Sequence, residues 1–117
     1  MALSSSKPQI DPQELALQSL VQRASEGAKS QIVRILGGKP FAKVRVGLAD
    51  TDLGKTPSVR RGFTVNALFS SSNAKATVEV EKQVAAWLKQ CHGNRFEDAR
   101  DDSLFKTGNK TVYIAIQ

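Results

Sequence analysis

The sequence predicts a small α+β domain, a three-stranded and mostly antiparallel sheet with two helices packed on one face, in the order α-β-β-α-β. Apolar residues step by three and four over residues 11–36 and 74–90, the period of a helix with one buried face. They alternate one by one over 42–48, 63–69 and 111–117, the period of a half-buried strand. Gly, Pro, Ser and Asn fill the joints between these stretches. A chain of 117 residues, 40% of them hydrophobic, suits one core, so residues 11–117 form a single domain behind a polar, Ser-rich tail at 1–10.

The first helix has the clearest start. Asp11 can cap it, Pro12 suits the first helical position, and Glu14 stands where a capping box places an acid. Leu17, Leu20, Val21, Ala24, Ala28, Ile32 and Ile35 then share one face until Gly37, Gly38 and Pro40 end the helix. Ala42, Val44, Val46 and Leu48 alternate with Lys43, Arg45 and Gly47, a strand whose outer side carries two cations. A long connection over 49–61 follows, of a length associated with function or mobility. Phe63, Val65, Ala67 and Phe69 form one side of the next strand, and Ser70 to Asn73 offer a turn and several helix caps. On the second helix Val80, Val84, Leu88 and Cys91 make the buried stripe, with Trp87 at its margin and Gly93 as a terminal cap. An acidic, loop-like segment over 94–103 leads to the turn at 107–110 and the last strand, where Val112, Ile114 and Ile116 alternate with Thr111, Tyr113 and Ala115.

Composition narrows the function classes. The single thiol, Cys91, allows no internal disulfide, which fits a reducing compartment and a cytoplasmic protein. The N-terminal stretch lacks the apolar run of ~7 to 15 residues that a signal peptide needs, and no segment approaches the ~20 apolar residues of a membrane span. The net charge is +6 and the isoelectric point about 9.8, a balance that favours polyanions such as nucleic acid or acidic protein surfaces. Its distribution is uneven. Between Lys29 and Arg61 stand eight cations, Lys29, Arg34, Lys39, Lys43, Arg45, Lys55, Arg60 and Arg61, against Asp50 and Asp52, a surplus equal to that of the whole chain. Near residue 100 the sign reverses through Glu97, Asp98, Asp101 and Asp102.

Among motifs, ADTDLGKT over 49–56 satisfies a permissive phosphate-loop pattern. Such a loop works when a helix starts directly behind its Lys-Thr pair and adds its positive end to the phosphate site. Here Pro57 to Gly62 head into a strand, and Asp50 and Asp52 put negative charge where phosphates would sit, so the stretch reads as a turn-rich connection. One His and one Cys, adjacent at 91–92, provide no metal cage and no nucleophile-base pair. His92 reads as a cation at a helix C-terminus, Cys91 as a small core residue and Asn109-Lys110-Thr111 as a turn.

An enzymatic reading joins VRVGLADTD with Arg60, Arg61 and the helical carboxylates Glu79 and Glu81, which together could hold Mg against a scissile phosphate. In outline this is similar to the GIY-YIG nucleases, and the resemblance implies a Mg-dependent nuclease with those four residues as catalytic candidates. The sequence departs from that family at Val46-Gly47-Leu48, which stands where a Tyr-Ile-Gly would, and no partner strand precedes it. A third reading is a protein-interaction or homo-oligomeric module built on the long amphipathic helix 11–36. The reading that covers most of the charge pattern is a non-enzymatic, cofactor-free domain that binds a polyanion, foremost nucleic acid, through Lys43, Arg45, Lys55, Arg60 and Arg61. Phe41, Phe63 and Tyr113 are aromatics that could stack on bases from an open sheet face, with core packing as their ordinary role.

Overall fold

The computed structural model describes residues 11–38, 40–49, 57–98 and 111–117. Helix α1 (Pro12–Leu36) starts as its sequence dictates, with Pro12 in the first turn and the Asp11 carboxylate accepting the Gln13 N–H at 3.0 Å. It stops where the Gly37 N–H donates to the Val33 carbonyl at 2.9 Å and Gly38 takes a positive φ of 80°. Strand β1 (Val44–Ala49), the one-turn helix α2 (Pro57–Arg60), strand β2 (Thr64–Ser70), helix α3 (Ala74–Cys91) and strands β3 (Phe96–Asp98) and β4 (Thr111–Ile116) follow. Asn73 caps α3, its side-chain oxygen accepting the N–H groups of Lys75 at 3.0 Å and Ala76 at 3.4 Å.

The architecture is α+β, with one mixed sheet in the order β2-β4-β1-β3. β4 lies antiparallel between β2 and β1, and β3 joins the other edge of β1 in parallel, Arg45 opposite Glu97. Three strands and two helices therefore become four and three. Both additions fall in stretches that read as loops, because three or four residues are too few to display a period. β3 forms where Phe96 packs against the core and the Val44 N–H donates to the Arg95 carbonyl at 2.9 Å. α2 follows Thr56 directly, so a turn of helix does stand behind the Lys-Thr pair. After this single turn, Gly62 at φ 88° sends the chain on into β2.

Val44, Val46, Leu48, Val112 and Ile114 face α1 and α3 and meet Val21, Ala28, Ile32, Val80, Val84 and Leu88 in the main core. The apolar stripe of α1 is thus taken up inside the domain. Outside it α1 exposes Leu15 and Val33, the latter beside Leu36, Phe41 and Trp87. Cys91, expected in the core, is exposed. In β2 the register shifts between Ala67 and Phe69, so Phe69 turns to the main core while Phe63 and Val65 stay on the opposite side. A strict alternation would have kept all three together. Among the described residues no helix is long and apolar enough to cross a membrane.

Candidate functional site

The side of the sheet away from α1 and α3 carries a second, smaller cluster of Ala49, Phe63, Tyr113 and Ala115. β1 has both edges paired, with β4 and β3, and all six of its residues are buried, Arg45 on the second face lying against Ser58 of α2 and the Phe63 ring. This corrects the expectation of a half-buried strand with Lys43 and Arg45 as equivalent outward cations. Arg45 is 2% exposed, while Lys43, just before the strand, keeps 54% of its side chain in solvent.

Burying a guanidinium demands partners, since an ion stripped of water costs several kcal/mol unless charge and hydrogen bonds replace the lost hydration. Arg45 Nη1 donates to Ser58 Oγ at 3.2 Å, and Ser58 Oγ lies 3.2 Å from Tyr113 Oη. The Arg45 guanidinium carbon is 5.3 Å from the centre of the Phe63 ring, within cation–π range. Arg45 Nε is 3.4 Å from Glu97 Oε1, an arrangement set by the parallel pairing that puts the two residues side by side. α2 exists in this setting as the turn that delivers Ser58 to the sheet.

Glu97 collects two further cations. Lys43 Nζ is 3.5 Å from its Oε2 and Arg61 Nη1 3.9 Å from its Oε1, with 58% of the Arg61 side chain and 36% of the Glu97 side chain exposed. Among the described residues, three cations thus gather around this one carboxylate. Arg60 adds an exposed cation one residue away. Of the cations named from the sequence, Lys43, Arg45 and Arg61 come together, but around a carboxylate from the acidic stretch, and Arg45 lies beneath the surface. Lys29 pairs with Glu26 on α1 at 3.5 Å, and Arg34 stands in the last turn of the same helix. Lys39 and Lys55 lie outside the described residues, as do Asp50 and Asp52 and the turn at 107–110.

The nuclease constellation is not assembled. Glu79 is exposed and 3.7 Å from Lys82, Glu81 is buried, and both belong to α3, across the sheet from Arg61. Among the described residues no three His, Cys, Asp or Glu side chains are placed to share a metal ion. The family resemblance also fails on order: the antiparallel neighbour that sets Tyr113 opposite Gly47 is β4, which comes after β1 in the chain. Phe63 and Tyr113 are buried and closed to stacking on a base. Phe41 is half-buried, with His92 edge-on at 5.3 Å and Arg95 over its ring at 5.0 Å.

Two participants escaped the sequence reading. Ser58 gave no signal, since a serine after a proline in a loop is ordinary. Glu97 was visible as part of an acidic stretch, but nothing local said that it would pair beside Arg45. Gly47 did carry a signal, because a glycine inside a strand marks a bulge or a close approach, and here Tyr113 lies across it. No family model, curated protein or solved structure matches the chain.

Proposed function

We propose that this protein is a binding module for a polyanion, foremost nucleic acid, that engages its ligand through Lys43, Arg60 and Arg61 on the face of the sheet opposite α3. Arg45 serves beneath them as the fixed cation around which the others are placed. The observation that carries this reading is the gathering of Lys43, Arg45 and Arg61 around Glu97, with Lys43 and Arg61 each more than half exposed. Phosphate-backbone contacts need positive reach more than exact geometry, and long exposed Lys and Arg side chains supply it. The net charge of +6 adds long-range attraction for the same partner.

The test is retention of mixed DNA and RNA oligonucleotides at about 50 mM and about 200 mM salt, with and without Mg. Retention at low salt that collapses at the higher concentration supports the reading. No retention at low salt, or retention indifferent to salt, overturns it. Cleavage in the Mg arm would replace it with the nuclease reading.

A further inference from the structure

We propose that Lys43, Arg45 and Arg61 form a seat for one backbone phosphate of the polyanion, and that the Glu97 carboxylate fills this seat until the phosphate displaces it. This rests on the polyanion-binding reading and adds to it the ligand group and the internal competitor.

The geometry is that of an anion cradle already holding an anion. Three cations reach Glu97 at 3.4 to 3.9 Å, and two of them share the single oxygen Oε1. One carboxylate would be enough to compensate Arg45, yet Lys43 and Arg61 are gathered on it too. A backbone phosphodiester carries the same single negative charge on two non-bridging oxygens set at a tetrahedral angle, so it can stand in for the carboxylate as the acceptor of the same three donors. The central donor is held in place in advance. Arg45 is anchored by Ser58, which is itself within hydrogen-bond distance of Tyr113, so little further ordering is needed on binding.

The occupant is placed to leave. Glu97 sits on a three-residue strand at the edge of the sheet, with 36% of its side chain already in solvent, and its χ angles can carry the carboxylate outward while the backbone stays paired. Exchange of carboxylate for phosphate puts one anion in the place of another beside the buried guanidinium, which limits the cost of the step. Lys43 and Arg61, long and more than half exposed, can follow the incoming group.

The experiment measures binding of a fluorescent single-stranded 12-nucleotide DNA by anisotropy across a salt series, for the wild-type chain, Glu97→Gln and Glu26→Gln. Glu26 lies on α1, paired with Lys29, so its substitution makes the same change in net charge away from the seat. Glu97→Gln is expected to bind about fivefold tighter or more, with a salt slope steeper by about 0.7, while Glu26→Gln changes affinity by less than about twofold. Equal responses from the two variants, or weaker binding by Glu97→Gln, overturn the proposal while leaving wild-type binding, and with it the broader reading, intact. Absence of wild-type binding removes both. If Glu97→Gln does not fold, Lys43→Gln with Arg61→Gln is compared with the equally charged pair Lys75→Gln and Lys82→Gln on α3. A loss of about tenfold confined to the first pair supports the seat, and equal losses overturn it.

Discussion

At Gly47 a side chain is excluded by a neighbour and not by the backbone. A Cβ there would fall 2.6 Å from Tyr113 Oη and 2.8 Å from its Cζ, and the ring is fully buried with nowhere to retreat. Gly47→Ala is therefore expected to destabilise the fold by about 1–3 kcal/mol, read as a lower urea midpoint at unchanged slope. An unshifted midpoint would show that the ring yields freely. The same scale separates two cations that the sequence presents as equals. Arg45→Ala removes a buried side chain from between Ser58, Phe63 and Glu97 and is expected to cost roughly 2–4 kcal/mol. Lys43→Ala touches an exposed ion pair and should cost less than about 1 kcal/mol in the same urea titration. Similar losses for both would contradict this division.

Among the elements, those long enough to show a period were legible in advance and those of one turn or three residues were not. α1 and α3 carry both signals a helix offers, a buried stripe and a side-chain cap. Asn73 accepts two N–H groups at the start of α3, so Asn73→Ala is expected to lower stability by about 1 kcal/mol in thermal or urea unfolding. Asn73→Ser should recover most of that loss, and a serine variant no better than alanine would remove the cap from the account. β2 was legible as a strand but its facing was not, because the inserted residue between Ala67 and Phe69 reverses the side that Phe69 occupies. β3 exists only as an addition to the free edge of β1. Its three residues have no stripe of their own and take their conformation from the pairing of Val44 to Val46 with Phe96 to Asp98.

For the whole molecule, the sheet sorts the chemistry onto two sides. α1 and α3 cover one face and hold Glu79 and Glu81, while Arg45, Ser58, Glu97, Arg61 and Tyr113 occupy the other. A polyanion attracted by the net charge is expected to dock on the second side. Reversing charge at both Arg60 and Arg61 to Glu should weaken oligonucleotide binding by more than about tenfold near 50 mM salt and flatten its salt dependence. The same double variant should unfold within about 1 kcal/mol of the parent, because both side chains are largely in solvent. Undiminished affinity in that variant would remove these residues from the interface.

The amino-acid sequence alone determined the α+β class, the ends of both long helices, the three longer strands and the concentration of cations before residue 62, since each is written in local periods, caps and counts. Only the tertiary structure decided that Arg45 lies inside, that Ser58 and Tyr113 hold it, and that Glu97, 52 positions further along the chain, stands beside it. Burial and ion pairing depend on which segments cover a strand's second face and free edge. That is settled by contacts between residues far apart in sequence, which no local pattern records.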